Sequence, residues 1–284
     1  VLRGSNLLVE YFRNRSTNVT ASFPLLTPAI EAAFPGRVTR DGAGNLVAID
    51  ARPVTFAEQK GERLRWGLNL SGPIGKAQPG GGGPFAGMGG GRPGGAGGAA
   101  PGGPRPGAGA GGGGGRGGMG AMMRGGGQGR WNLALYHTVQ FESSVLVAPG
   151  GPVLDLLGGD ALSGGGTPRH GLEFNGGAFH KGFGMFLQGS WSAPTNVRAV
   201  GLPGSSDLRF GALAKVNVNL FANLEQVLKD QPLAKGARLS LRFENLLDSH
   251  QKVTDGTGAV PISYQPDRLD PRGRFIEIEL RKMF

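Results

Sequence analysis

The feature that most constrains this chain is the strict alternation of apolar and polar residues in several of its segments. In the stretch DLRFGALAKVNVNLFANLE, apolar residues occupy every second position from Leu208 to Ala222, with Arg209, Lys215 and Asn219 between them. Successive side chains of a β-strand point to opposite faces, so this spacing predicts a strand and not a helix. Each such strand needs one face shielded from water and leaves the other face polar.

About eight segments show this pattern, and each has one apolar and one polar face. They are LLVEYF, RLRWGLNL, WNLALYHTVQF, GLEFNGGAF, FGMFLQGSW, the stretch above, RLSLRFENL and RFIEIELRKMF. The short HKG between the fourth and fifth segments predicts a tight hairpin. No run of 18 or more apolar residues occurs, so no membrane-spanning helix is expected. The predicted fold class is therefore all-β and antiparallel.

The same alternation occurs in soluble β-sandwiches and in membrane β-barrels, so the pattern alone leaves both folds open. Strand length favours a barrel, because each segment is near the ~9–11 residues that a tilted strand needs to cross a bilayer. Trp66, Trp131 and Trp191 lie on apolar faces, where an aromatic girdle is expected.

The connections between the predicted strands also favour a barrel, because they alternate between short and long. HKG and 229–236 are short, whereas 15–45, 148–168 and 248–272 are long. Outer-membrane barrels have short periplasmic turns and long external loops. We therefore predict an antiparallel transmembrane outer-membrane β-barrel, with residues 72–130 on the side of the short turns.

Residues 72–130 differ in composition from the rest of the chain. They are rich in glycine and proline and contain six Lys/Arg residues and no acid. Such a segment buries too little apolar surface to offset the entropy of ordering, so we predict a disordered Gly-rich insertion. It divides the chain into barrel strands with an external loop (1–71) and C-terminal barrel strands (131–284).

The insertion also resembles Arg/Gly-rich nucleic-acid-binding segments, since it contains GGRGGMG and MMRGGGQGR. Arginines on a flexible backbone neutralise phosphates, and aromatic residues stack on bases. Phe85 is the only aromatic residue of the segment, so a basic spacer is favoured and no nucleic-acid partner is expected.

Composition excludes several kinds of site. The 284 residues include no cysteine and carry a net charge of +10, so disulfides and thiolate metal sites are excluded. The chain begins at Val1 without a charged and apolar leader, so we expect a mature protein or a fragment. GPIGKAQ lacks the spacing of a phosphate loop, and GGDALSGGGTP lacks the serine elbow of hydrolases.

Two sets of residues were weighed as metal ligands. The four histidines, His137, His170, His180 and His250, lie on different predicted strands or turns without helical metal spacing, so we expect them to face a lumen or a turn. Asp255, Asp267 and Asp270 suggest either a calcium site or simple turns, and turns are favoured. We predict no catalytic, cofactor-binding or metal-binding residue, and hence no enzyme.

Cationic residues recur on the predicted polar faces. They are Arg63, Arg65, Arg209, Lys215, Arg238, Arg242 and Arg281. In a barrel they point into the lumen, where they steer anionic ligands or pair with a plug domain or with acids of neighbouring strands. The candidate acids are Glu244, Glu277 and Glu279.

The last forty residues resemble the end of TonB-dependent outer-membrane receptors. The matching positions are Asn245, Leu246, Leu247 and Asp248 at the end of a strand, Tyr264 and Pro266 in the loop, and Gly273, Arg274 and Phe284 around the last strand. The stretch RDGAGNLVAIDARPVTFAEQKGERLRWGLNLSG looks like an earlier part of the same barrel. Lys282 departs from the family pattern, which has an aromatic or apolar residue there.

The resemblance implies a 22-stranded barrel, of which this chain supplies about eight C-terminal strands. It also implies an N-terminal plug domain, absent here, that contacts a TonB-type energy-transducing protein. The terminal alternation implies a signal for the barrel-assembly machinery, made of Ile276, Ile278, Leu280 and Phe284. The expected location is the bacterial outer membrane, with membrane lipid as a partner.

The function implied by this resemblance is uptake of a scarce, small nutrient such as an iron–siderophore, a cobalamin, a saccharide or a peptide. Two alternatives stay open. One is a soluble β-domain with an Arg/Gly-rich nucleic-acid-binding segment, and the other is a small porin-like or adhesin barrel. Packing of Val218, Leu241 and Ile278 distinguishes them, because a soluble sandwich covers these side chains with a second protein layer.

Overall fold

The computed structural model describes residues 5–75, 129–162, 164–198 and 206–283. No helix within these ranges is long and apolar enough to cross a membrane. The structure is mostly antiparallel β-sheet with few, short helices, which confirms the predicted all-β class.

Eight long strands form one antiparallel meander in which each strand pairs with the next long strand of the chain. They are β1 (Asn6–Ala21), β4 (Val54–Ile74), β5 (Gly129–Leu146), β7 (His170–His180), β8 (Phe183–Ser192), β11 (Leu213–Asn223), β12 (Ala237–Glu244) and β14 (Phe275–Lys282). This order places the connections after β1, β5, β8 and β12 at one end of the sheet, the loop end, and the connections after β4, β7 and β11 at the other, the turn end.

Shorter elements lie mainly in the connections. The strands are β2 (Val38–Arg40), β3 (Leu46–Ile49), β6 (Val153–Asp155), β9 (Thr195–Val197), β10 (Leu208–Phe210) and β13 (Val253–Thr254). The helices are α1 (Pro28–Ala33), α2 (Leu224–Val227) and α3 (Pro266–Leu269), with two 3-10 turns at Pro232–Ala234 and Ile262–Tyr264.

The strand register places the alternating apolar positions of all eight strands on the same side of the sheet, the apolar face. One row of cross-strand neighbours runs through Leu70, Leu133, Gly176, Leu187, Val218, Phe243 and Ile276. Since side chains alternate with period two, a slip of one residue in any pair would move that strand's apolar residues to the other side. The predicted alternation is thus confirmed as a property of the whole sheet.

The opposite side, the polar face, carries charged and amide side chains in the same register. One of its rows runs through Asn6, Asn69, Ala134, Asn175, Gln188 and Asn217. The sheet therefore presents two chemically different faces along its width.

Glycines opposite aromatic residues fix the register at three places on the polar face. The pairs are Gly67 with Tyr136, Gly177 with Phe186, and Gly184 with Phe221. A β-carbon at Gly184 would lie 2.1 Å from Cζ of Phe221, so the ring covers the glycine directly. Aromatic side chains over cross-strand glycines pin a register and shield the bare backbone.

The predicted hairpin at HKG is confirmed. β7 and β8 are joined by Lys181 and Gly182, whose φ angles are 48° and 87°. Positive φ at both central residues is typical of the tight turn that matches the twist of paired strands.

Several predicted boundaries were wrong. The expected loop 15–45 begins only after Ala21, because Arg15 of β1 forms an ion pair with Glu58 of β4 and extends the pairing beyond the apolar residues. Residues 72–74 and 129–130, assigned to the insertion, belong to β4 and β5. Residues 76–128 lie outside the described part of the chain, and so does Phe284.

The longest predicted strand is divided into two, which is a further correction. Residues Leu208–Phe210 form β10 in a separate three-stranded sheet with β9 and β13, and the main sheet resumes at Leu213. The division lies at Gly211, whose N–H donates to the Lys252 carbonyl and whose carbonyl accepts from Nε2 of Gln251 at 2.7 Å. Arg209 therefore belongs to the loop sheet and not to the polar face.

Small apolar cores lie at the loop end. Residues 22–53 fold over Phe56, Val145 and Leu154, with Ile30 of α1 fully buried among them. The N-cap of α1 is Thr27, whose Oγ1 accepts the N–H of Ile30 at 3.1 Å. A second core contains Val197, Phe210 and Val253. These loops are thus ordered by packing as well as by turn geometry.

We predict that Gly184→Ala lowers the free energy of unfolding by about 1–3 kcal/mol, because the new methyl group overlaps the Phe221 ring. Urea unfolding followed by tryptophan fluorescence measures this. Gly189→Ala is the control, since its β-carbon would meet Phe174 at an ordinary 3.7 Å. The cost at Gly184 should shrink in a Phe221→Ala background; an equal cost in both backgrounds contradicts the contact.

Candidate functional site

The apolar face is the largest unusual surface of the molecule. Ile278 is 74% exposed, Leu280 is 68% exposed and Leu7 is 65% exposed, although all three lie in paired strands of the main sheet. On β4 between Leu64 and Gly72, no residue of this face is buried. The same is true of the residues that lie in register with them on the neighbouring strands. Within the described ranges, no second layer packs over the face. An exposed apolar surface of this extent marks contact with a membrane or a partner.

The apolar face has a defined height. On β4 it runs from Leu64 to Ile74, which is ten residue steps and roughly 33 Å along an extended strand. A strand tilted by about 45° projects this length onto roughly 23 Å, close to the ~25 Å apolar band of outer-membrane barrels.

Charged residues bound the apolar face toward the loop end. Next to Leu64 on the same face lie Glu62, Lys60 and Glu58 of β4. Glu58 pairs with Lys60 at 2.8 Å and with Arg15 of β1. The phenol of Tyr11 donates to Glu62 at 2.5 Å. On β4 the face therefore changes from apolar to charged within two residues, between Leu64 and Glu62.

Two histidines lie together on the apolar face, which sequence spacing did not reveal. The rings of His137 and His170 stack at 5.4 Å, and Nε2 of His137 lies 3.3 Å from Nδ1 of His170. Nε1 of Trp66 donates to Nδ1 of His137 at 3.1 Å. The expectation that these histidines face a lumen is wrong, because the register places both beside Leu64, Trp66 and Val139.

Ion pairs organise the polar face across neighbouring strands. Arg65 of β4 pairs with Glu173 of β7 at 2.9 Å, and its guanidinium lies 4.4 Å from the centre of the Tyr136 ring. The predicted pairing of Arg242 with Glu277 is present at 3.4 Å. Salt bridges of this exposed kind contribute little stability each, so their main effect is to fill the face with fixed charge.

Aromatic rings line the turn end of the polar face. Phe221 stacks between Phe179 and Phe186, with ring centres 6.1 Å and 5.5 Å away. The guanidinium of Arg238 lies 4.1 Å from the centre of the Phe221 ring. These side chains form a ladder from β7 to β12.

Several polar atoms of this face are buried without a hydrogen-bond partner in the described part of the protein. They are Nε of Arg65, Oδ1 of Asn132, Oδ1 of Asn219 and Nε of Arg238. Buried polar groups in folded proteins are paired with protein or with water. The polar face is therefore suited to water or to a polar partner and not to an apolar core.

Four of the nine positions of the family resemblance form one cluster in the last hairpin, the C-terminal clasp (Asn245, Asp248, Gly273 and Arg274). Asn245 is 5% exposed and has a φ of 49°. Its Oδ1 accepts the N–H of Ser249 at 2.9 Å, and its Nδ2 donates to the Ser249 carbonyl at 3.0 Å. Its own N–H donates to Oδ1 of Asn217 at 2.8 Å. One side chain thus closes the turn after β12.

The other half of the clasp joins this turn to the last strand. Oδ1 of Asp248 accepts the N–H of Arg274 at 2.9 Å, immediately before β14 begins. Gly273 has a φ of 55°, and a β-carbon there would lie 2.9 Å from Oδ1 of Asp248. The contact between Asp248 and Arg274 therefore joins the Asn-Leu-Leu-Asp stretch to Gly-Arg and positions β14.

The loops next to the clasp form a packed module, the loop cap (159–162, 164–168, 193–198, 206–211 and 248–270). Tyr264 packs edge-on against Phe210 at 5.5 Å and donates a hydrogen bond to the Gly164 carbonyl at 3.2 Å. Asp255 accepts from the N–H and hydroxyl of Thr257, as the turn interpretation predicts. The cap thus joins connections from three hairpins.

The three aspartates weighed as calcium ligands have separate roles. Asp270 pairs with Lys215 of β11 at 2.8 Å, and this hydrogen bond holds the pKa of Asp270 below its usual range. Asp267 lies in the first turn of α3. Across residues 5–75, 129–162, 164–198 and 206–283, no group of three or more His, Asp or Glu side chains is arranged to hold a metal ion.

Comparisons with protein-family models, with curated proteins and with solved structures find no match to this chain. The assignment of a function therefore depends on the residues and geometry of the chain itself. The residues proposed as an assembly signal, Ile276, Ile278 and Leu280, all lie on the apolar face of β14.

We predict that Asp248→Ala lowers the free energy of unfolding by about 1–2 kcal/mol, because it removes the acceptor of the Arg274 N–H and leaves alanine at a φ of 54°. Asp248→Asn retains an acceptor oxygen and tolerates positive φ, so it should keep most of the stability. Urea unfolding is the measurement, with Asp267→Ala as control. Equal stabilities of the Asp248→Ala variant and the parent chain contradict the clasp.

We also predict that the loop cap loosens in acid. A carboxyl whose pKa is lowered by folding stabilises the fold above its unfolded pKa of about 3.9. This contribution is lost as the pH falls through the lower folded value of Asp270. Hydrogen exchange of 248–272, corrected for intrinsic rates, should rise below about pH 4. Asp270→Asn should remove that rise and Asp267→Asn should not; a rise unchanged in Asp270→Asn counts against the pair.

Proposed function

We propose that this chain forms the C-terminal part of the wall of a TonB-dependent outer-membrane receptor, which takes up a scarce nutrient. In this role the apolar face contacts lipid, the polar face lines the path of the ligand, and the loop cap lies on the outside of the cell. No covalent chemistry is required of the chain, so it is proposed as a transporter and not as an enzyme.

The observation that carries the proposal is the exposed apolar face itself. It is continuous across eight strands, its height on β4 matches the apolar band of outer-membrane barrels for a strand tilted by about 45°, and on β4 it ends in charged residues such as Glu58 and Glu62. A soluble sandwich would cover Ile278 and Leu280 with a second sheet, yet they are 74% and 68% exposed. The soluble alternative is therefore less well supported.

The C-terminal clasp gives independent support. The residues that resemble the family, Asn245, Asp248, Gly273 and Arg274, contact one another or the same turn and position β14. The polar face supports a conduit, since it holds fixed charge and polar atoms that need water or a polar partner.

Cell fractionation of the full-length native protein, followed by electrophoresis of heated and unheated samples, tests the proposal. An outer-membrane protein whose unheated band migrates faster than its boiled band supports a folded membrane barrel. A protein found in the soluble fraction, with the same band under both conditions, would contradict the receptor proposal and favour the soluble β-domain.

We predict that Ile278→Arg abolishes the fast-migrating band or strongly reduces it, because arginine at the centre of a lipid-facing strand costs roughly 2–4 kcal/mol. Glu279→Arg is the matched control, since it places the same side chain one residue away on the polar face of β14. It should retain the fast band. Equal loss of the band in both variants would indicate general misfolding, and equal retention would show that Ile278 does not face lipid.

A further inference from the structure

Side-chain amides dominate one row of the polar face, the amide row (Asn6, Asn69, Asn175, Gln188 and Asn217). Cross-strand pairing places them side by side from β1 to β11, with Ala134 of β5 between Asn69 and Asn175. Since neighbouring strands lie about 4.8 Å apart, the part of the row from Asn69 to Asn217 spans roughly 19 Å. The row is therefore long enough for an extended ligand.

Most amides of this row are exposed, namely those of Asn6, Asn175, Gln188 and Asn217. Asn175 and Gln188 lie directly opposite each other. Within the described ranges, the side chains of these two residues form no hydrogen bond with another residue. An amide group offers two N–H donors and a carbonyl acceptor. Because a hydroxyl group both donates and accepts, a ligand that carries many hydroxyl groups is complementary to this row.

Aromatic rings flank the amide row on both sides. Tyr136 lies opposite Gly67, one row toward the loop end. Phe186 lies opposite Gly177, one row toward the turn end. Both rings are half-buried, so each keeps part of its surface open beside the amides. Ligand sites commonly combine such apolar surfaces with a few placed polar groups, and the C–H faces of sugar rings are apolar surfaces of this kind.

The charged side chains in the two rows next to the amide row are engaged in ion pairs. The pairs are Arg65 with Glu173 at 2.9 Å, Lys215 with Asp270 at 2.8 Å, and Arg242 with Glu277 at 3.4 Å. A peptide carries a charge at each end, and an anionic metal complex carries net negative charge. Either ligand calls for an unpaired opposite charge where it leaves water. The surroundings of the amide row therefore favour a neutral ligand.

We propose that the amide row binds a neutral oligosaccharide. Its hydroxyl groups form hydrogen bonds with Asn175, Gln188 and Asn217, and its sugar rings pack against Tyr136 or Phe186. The inference rests on the transport function proposed above, and it selects the saccharide from the nutrient classes that the family resemblance implies. In the proposed barrel the row lies on the wall of the ligand path and not in the loop cap.

The test is calorimetric titration of the full-length native protein, in detergent if it fractionates with the membrane. Maltohexaose, cellohexaose and xylohexaose are the oligosaccharide probes, and ferrichrome, cyanocobalamin and trialanine are the competing ones. We expect at least one oligosaccharide to bind, with an affinity that changes less than about twofold between ~0.05 and ~0.5 M NaCl, since salt screens only charged partners. Binding of a competing probe and of no oligosaccharide overturns the proposal.

Substitutions in the row locate the site. Asn175→Ala and Gln188→Ala should each weaken oligosaccharide binding roughly three- to tenfold, which corresponds to the loss of one or two hydrogen bonds. Asn14→Ala is the matched control and should leave the affinity unchanged, because Asn14 is an exposed amide on the same face of β1, eight residues beyond Asn6. Circular dichroism verifies that each variant is folded. Unchanged affinity in both row variants, or an equal loss in all three variants, overturns the amide row as the site.

Failure of this inference and failure of the receptor proposal give different results. A protein with a heat-sensitive outer-membrane band that binds none of the oligosaccharides contradicts the saccharide and leaves the receptor proposal intact. A soluble protein with the same band heated and unheated contradicts the receptor. In that protein, oligosaccharide binding that depends on Asn175 and Gln188 would still support the amide row, and its absence would overturn the row as well.

Discussion

The cross-strand register is the constraint on which the rest of this structure depends. It places the alternating apolar positions of eight strands on one face, and within the described part of the main sheet the register shifts between β4 and β5. There Val139 lies opposite Leu64 but Glu142 lies opposite Glu62, so Phe141 is the extra residue of a bulge. Because of this extra residue, β5 continues on the apolar side with Glu142 and Ser144 after Leu135 and Val139. The bulge therefore lies where the face changes from apolar to charged.

Much of this sheet could be predicted from the sequence, because the period of two depends only on which side chains meet which medium. The ends of the strands could not, since ion pairs such as Arg15 with Glu58 continue the pairing where alternation stops. The break between β10 and β11 was also hidden. It depends on the hydrogen bond that Gly211 donates to Lys252 and on the one that it accepts from Gln251, about forty residues away along the chain.

In the candidate site too, some features could be predicted from a single strand, and others depend on contacts between residues far apart in the sequence. The exposed residues Ile276, Ile278 and Leu280 follow from alternation within one strand. The stacked His137 and His170 do not, because only the register between β5 and β7 brings them together. The residues of the clasp were identified through a family resemblance, but their contacts required the folded chain, since Asp248 and Arg274 are separated by a whole loop.

The two edges of the sheet must be paired if its apolar face contacts lipid. In the described part of the chain, β1 and β14 pair with a neighbour on one side only. In hydrocarbon each unpaired backbone group costs several kcal/mol, so a sheet whose apolar face contacts lipid must also complete its edges by closure or by further strands. The exposed apolar face and the incomplete edges both fit the proposed barrel, in which closure, through β1 and β14 themselves or through further strands, encloses the polar face. Such closure also retains water around Arg65 and Arg238, whose buried Nε atoms need polar partners.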